Sequence, residues 1–233
     1  MIAALLIAAI LPIWVGRFVA EGAPPAPWQV VRIDRKVTPT RYRVSRVAGV
    51  TAVEATAVNS MALLARPLAI DLSATPILCW QWQVDMPVAK GDMRSKRGDD
   101  YAARVYVAFD IPDGELSAGT RLKLRLARGL FGKAVPDAAL NYVWDNRHPV
   151  GTALKSAYTD RAQLIVAETG GTHAGRWVTE RADVAADFAR AFGGVSGKPT
   201  QLAIASDTDN TRSTARAAFA GLHFVARGQQ CAF

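Results

Sequence analysis

The sequence predicts an all-β protein, a jelly-roll β-sandwich of two antiparallel sheets with one or two short helices. Short runs alternating between apolar and polar residues recur along the 233-residue chain, and Gly, Pro, Asn and Asp interrupt them at short intervals. Only two stretches carry a helical period. Half of the residues are hydrophobic and 21% are charged, a composition that folds around one full core.

Residues 1–23 read as a signal peptide or an N-terminal anchor. An apolar run from Ile2 to Val15 meets no charge before Arg17, and its length suits a signal core better than a full membrane span. Cleavage is expected near Val19-Ala20 or Gly22-Ala23. Left uncut, the run with Trp14, Arg17 and Phe18 would hold the chain at a membrane interface. Residues 24–27 form a short linker stiffened by proline, and residues 28–233 form one sandwich domain. The expected location is periplasmic or secreted, with anchoring as the alternative.

From Trp28 onward the strand candidates are WQVVRID, RYRVSRV, VTAVEATAV, ILCWQWQV, YAARVYVAF, LNYVW, AQLIVAE, RWVTERADV, QLAIASD and AFAGLHFVA. TRLKLRLARGLFG, residues 120–132, fits a helix through Leu122, Leu126 and Leu130 and equally a strand through Leu122, Leu124 and Leu126. ADVAADFARAFGG, residues 182–194, is a helix: Val184, Phe188 and Phe192 share one face, and Gly193-Gly194 ends it.

Side chains alternate across a strand, so each strand has two faces. Leu78, Trp80, Trp82 and Val84 oppose Cys79, Gln81 and Gln83. Tyr101, Ala103, Val105, Val107 and Phe109 oppose Asp100, Ala102, Arg104, Tyr106 and Ala108, and Ala203, Ala205 and Asp207 share a face further on. Small residues beside Gln81, Gln83, Asp100, Arg104, Tyr106 and Asp207 predict a shallow trough with hydrogen-bonding groups on its floor. That suits an extended polar ligand such as a sugar chain. Trp144, at the end of a strand in NYVWDNRHP, is either a stacking platform for a sugar or a plug of the sandwich.

The formal charge is +8, from 28 basic and 20 acidic residues. Outside the cytoplasm it favours a glycan or an anionic envelope polymer as partner. The basic residues are scattered and not interleaved with aromatics, so no nucleic-acid module is present, and membrane contact is expected only through the N-terminal segment. Cys79 and Cys231 are the two cysteines. They form either one disulfide, pinning the last residues to the strand of Cys79, or two separate thiols. No Cys/His spacing suggests zinc, and three histidines make a histidine metal centre improbable.

Asp207, Asp209 and Asn210 have an oxygen-rich spacing that can wrap Ca²⁺, with Asp99 and Asp100 available to complete the shell; the same DTDNT is also an ordinary strand-reversing turn. No other cofactor is expected. Asp100 and Arg104 would form either a register-fixing ion pair or a rigid fork offered to a ligand. Catalysis lacks a motif: nucleophile elbows, phosphate loops and metalloprotease helices are missing. A glycoside hydrolase would have to pair Asp99 or Asp100 with Asp207 or Asp209 across a cleft, and a polysaccharide lyase would draw its base and its uronate partner from Tyr106, Tyr142 and Arg104.

The ordered segments WQWQV, GDDYAARVYVAF, LNYVW, RWVTERADVAADFARAFG and IASDTDNT resemble the bacterial domain of unknown function family 3047, from about Trp28 to Phe224. The resemblance implies no reaction. More distantly, GRWVTERADVAADF is similar to the late strand of jelly-roll carbohydrate-binding and galactose-binding-like domains. The function expected is non-catalytic binding of a glycan or other polar envelope ligand; the alternatives are the lyase or hydrolase and a purely structural envelope protein.

Overall fold

The computed structural model describes residues 11–131 and 135–233. The apolar run from Ile2 therefore lies outside the described residues as far as Ile10. Two sheets face each other across one core.

The first sheet contains β1 (Ile13–Gly16), β3 (Arg41–Val47), β4 (Val50–Val58), β6 (Ile77–Val84), β11 (Val178–Asp183) and β13 (Thr214–Val225). Their order is β11-β6-β13-β4-β3, with β1 beside β13. The second contains β2 (Gln29–Val31), β5 (Leu63–Pro67), β7 (Arg104–Asp110), β8 (Ala138–Asp145), β9 (Ala153–Lys155), β10 (Ala162–Thr169) and β12 (Lys198–Ala205), in the order β2-β5-β12-β7-β8-β10-β9. The jelly-roll sandwich expected from the alternation is present, with one departure: β10 runs parallel to β8. The connection between them first lays β9 against the outer side of β10, the kind of longer excursion that parallel pairing needs.

Alternation fixes which residues meet in the middle. Leu78, Trp80, Trp82 and Val84 of β6 join Val105, Val107 and Phe109 of β7 and Leu140, Tyr142 and Trp144 of β8 in the main core. The rings of Trp80 and Trp82 meet edge to face at 5.4 Å, and Trp82 and Trp144 lie 5.7 Å apart. Burying side chains of this size contributes roughly 1.5–3 kcal/mol each. The expected parity fails at Tyr101. The strand begins only at Arg104, so Tyr101 belongs to the preceding loop and packs with Met93, Val143 and Leu164 in a separate cluster on the outer face of the second sheet.

Two α-helices complete the described chain. In α2 (Val184–Phe192) the Asp183 carboxylate accepts from the Ala186 amide at 3.0 Å and caps the first turn. Val184, Phe188 and Phe192 face the core as their spacing requires, and Gly194 follows at φ +81, a left-handed conformation that glycine adopts freely. The ambiguous leucine-rich stretch is helical as α1 (Ala118–Phe131), but Leu124 is buried while Leu122 and Leu126 are exposed; the side chain of Leu130 lies outside the described residues.

Cys79 and Cys231 form a disulfide with an S–S distance of 2.03 Å. It holds the C-terminal segment over His223, whose Nε2 accepts from the Ala232 amide at 3.1 Å. Upstream of the boundary expected at Trp28, β1 pairs with β13, and Val15 and Phe18 enter the core.

Candidate functional site

The predicted charged cluster centres on Arg104, the first residue of β7. Arg104 is 4% exposed on the outer face of the second sheet, beneath the loop that holds Asp99, Asp100 and Tyr101. Its Nη1 donates to Asp207 and its Nη2 to Asp99 Oδ1 at 3.3 Å. The guanidinium lies over the rings of Tyr101 and Tyr106, at 4.5 and 5.2 Å from their centroids. The Asn141 amide, its oxygen turned to the guanidinium, accepts from Nη2 at 2.9 Å and Nε at 3.2 Å. Burial pushes the Asp207 carboxyl up to about 8 and raises Asp99, with Arg104 opposing both shifts. Two carboxyl groups thus share one cation.

Asp100 accepts from the Asn210 amide and side chain, each at 3.2 Å, and from the Thr211 amide and hydroxyl, each at 2.6 Å. It therefore fixes the DTDNT turn. Asp100, Asp207 and Asp209 do bring carboxylate oxygens within 4.8 Å of one another, and one oxygen of Asp209 is buried without a partner. Of the six to eight oxygens in a Ca²⁺ shell, those of Asp100 already accept from four donors and those of Asp207 from Arg104 and the Tyr101 amide. Asn210 is not free to complete it: its oxygen accepts from the Tyr158 hydroxyl at 2.9 Å.

The other floor residues do not join this cluster. Asp100, Arg104, Tyr106 and Asp207 do gather on one side of the second sheet, but Gln81 and Gln83 belong to the outer face of the first, beside Ala218 and Ala220. Alternation tells which residues share a face of one strand and does not tell which sheet the strand joins. Gln83 there donates to the Gly175 carbonyl at 3.0 Å. Trp144 is 1% exposed, packs on Trp82 and donates to the Gly170 carbonyl at 3.0 Å, so it is a core plug rather than a platform.

An open concavity occurs elsewhere. Between β10, β11 and α2 a cleft of about 570 Å³ enters the edge of the sandwich. Trp80 and Tyr142 line it, with Gln163 from β10, Glu180 from β11 and Asp187 and Arg190 from α2. Gln163 and Glu180 stand at inward-facing positions of their strands, sharing parity with Ile165 and Val178, where a filled sandwich would place apolar side chains.

The polar groups of the cleft are only partly matched to one another. The Trp82 indole donates to Glu180 Oε1 at 3.1 Å, and the Tyr142 hydroxyl donates to Asp187 Oδ2 at 2.7 Å. Trp80 is fully buried, yet its indole N–H has no partner among the described residues. Burial pushes the Glu180 carboxyl up to about 8, with Glu168 adding and the Trp82 indole opposing. At neutral pH Glu180 is thus mostly a neutral group able both to donate and to accept. The sequence carried a signal for this site in AQLIVAE and RWVTERADV, where a glutamine and a glutamate interrupt the inward face.

Residues 26–223 match the family described as "Protein of unknown function (DUF3047)". No curated protein matches the chain. Among solved structures, the chain is similar to a family 30 carbohydrate-binding module of a cellulosomal cellulase of Clostridium thermocellum, with 11% identity, 96% of this chain and 97% of that one covered, and a TM-score of 0.40. It is similar also to the xyloglucanase domain of NopAA, a type three effector from Sinorhizobium fredii, solved with cellobiose, with 10% identity, coverage of 88% and 100%, and a TM-score of 0.38. A third likeness is to the family GH12 endoglucanase 3 of Trichoderma harzianum, with 10% identity, coverage of 87% and 100%, and a TM-score of 0.30.

Proposed function

The chain belongs to the DUF3047 family, and we propose that it is an exported, non-catalytic domain that binds a glycan segment in the cleft between β10, β11 and α2. The observation that carries this reading is an open cleft of about 570 Å³ whose inward positions are occupied by the polar side chains of Gln163 and Glu180. A sugar offers many hydroxyl groups that both donate and accept, as Gln163 and a neutral Glu180 also do. The Cys79–Cys231 disulfide supports an oxidising, extracytoplasmic compartment, as does the apolar N-terminal run.

Catalysis through the carboxylates of the Arg104 cluster is disfavoured, since Asp99, Asp100 and Asp207 all have fixed partners. One observation favours a hydrolytic second reading in the cleft: Glu180 keeps its proton to about pH 8, as a general acid must. A panel of neutral and acidic oligosaccharides tests both readings, with binding followed by calorimetry and products by chromatography. Binding without products, weakened at least about tenfold by Gln163→Leu, is the expected result. Products that disappear in Glu180→Gln would establish hydrolysis, and no binding by any member would remove the glycan reading.

A further inference from the structure

We propose that α1 is a membrane-surface element that lies along an anionic phospholipid bilayer, Leu122 and Leu126 inserted below the headgroups and Lys123 and Arg125 on the phosphates. This is independent of the cleft. At about 100° per residue, Leu122 and Leu126 stand nearly opposite Leu124, the leucine that faces the protein. They are 55% and 61% exposed, far from the burial that leucine ordinarily finds in a folded chain. Gly119 and Gly129 fall on the same outward side, and a side chain added at Gly129 would meet nothing within 4 Å. Among the described side chains the crest is therefore Leu122 and Leu126, with open space at Gly129 and the Ser117 hydroxyl 4.0 Å from a side chain added at Gly119.

The charges divide into two sets. Arg121 donates to the carbonyls of Asp113 and Leu116, and Arg128 pairs with Asp137 at 2.8 Å, so these two hold the helix to the body of the protein. Lys123 and Arg125 flank the leucine crest, are exposed, and have no ion pair among the described residues. No acidic residue occurs between Ala118 and Phe131. Asp113 and Glu115 precede the helix, and Glu115 is turned to the Ser196 amide. Exposed leucines bordered by unpaired cations are the two elements of interfacial attachment, apolar insertion and attraction to anionic lipid. The chain's net charge of +8 adds a long-range pull in the same direction.

The test is sedimentation of the full chain with vesicles of phosphatidylcholine alone and of phosphatidylcholine with phosphatidylglycerol, at low and high salt. Binding to the anionic vesicles is expected, weakened by salt. Leu122→Gln with Leu126→Gln should reduce it at least about tenfold, and Lys123→Gln with Arg125→Gln about fivefold per cation removed. Melting temperatures should stay unchanged, because all four side chains are solvated in the fold. The apolar N-terminal run is identical in every variant, so variants that bind as well as the parent would assign attachment to that run and overturn the proposal. Equal binding to neutral vesicles would overturn the electrostatic half. A change in the oligomeric state of the leucine variant without vesicles would make the crest a contact between copies of the chain, which also overturns it.

Discussion

Two regions of this sandwich take carboxylates and aromatic rings out of water, and they treat them differently. Around Arg104 the charged groups are matched: the guanidinium touches Asp99, Asp207, Asn141 and two tyrosine rings, and Asp100 accepts four hydrogen bonds. In the cleft, a buried indole N–H is unpartnered and Glu180 has one indole donor. Both hold a carboxyl raised to about 8 by burial, so a perturbed carboxyl alone does not separate site from scaffold. Unpartnered buried atoms occur in both: the Tyr101 hydroxyl and an Asp209 oxygen near Arg104, and the Trp80 indole beside the cleft. What separates them is that the carboxyl groups near Arg104 face a cation while Glu180 lines an open cleft.

The comparison is broken most forcefully at Arg104. Arg104→Met leaves Asp99 and Asp207 buried without their cation and is expected to cost about 3–5 kcal/mol in denaturant unfolding. A loss below about 1 kcal/mol would mean that the cluster is not structural glue.

Glu180 sharpens the other side through pH. Its carboxyl titrates near 4.3 in an unfolded chain and at about 8 in the fold, so the folded state holds the extra proton between those values. The stability this gives is complete below about pH 4 and is lost as pH rises through about 8. Glu180→Gln should therefore flatten the decline in stability between about pH 5 and pH 9, by on the order of 1–2 kcal/mol once partial exposure is allowed for. Asp207 titrates in the same window, so the parent's slope reports both and the variant isolates one. An identical slope in the variant would show that Glu180 is ionised at neutral pH.

The smallest effect concerns metal. With the oxygens of Asp100, Asp207 and Asn210 already engaged, millimolar Ca²⁺ should move the melting temperature by less than about 1 °C, whereas a true site stabilises by mass action. A shift of several degrees, abolished by Asp209→Asn, would restore the turn as a cation loop.

Much of this architecture is written in the chain's alternation. Leu78, Trp80, Trp82 and Val84 face inward as their period dictates, and Asp183, Phe188 and Gly194 mark the start, face and stop of α2. Three strands escaped: β1 lies inside an apolar run that looks like a targeting segment, β5 reads LLARP with no alternation, and β9 has three residues. The candidate site was less legible. Extending strand parity groups Asp100, Arg104 and Asp207, but Asp100 and Asp207 lie beyond the ends of β7 and β12, in loops whose course the alternation does not record. Gln81 and Gln83 went astray because parity does not choose the sheet. Gln163 and Glu180 were visible as polar interruptions of inward faces, yet only the opening between β10 and β11 gives those interruptions a meaning.

The division between scaffold and site is tested most directly by the nitrogen–proton NMR spectrum of the indole and guanidinium groups, recorded while the oligosaccharide panel is added. The expected result is that at least one oligosaccharide moves the Trp80 indole resonance and leaves Arg104 Nε–H where it was. Movement at Arg104 with Trp80 unchanged, or an unmoved Trp80 across the whole panel, would contradict it.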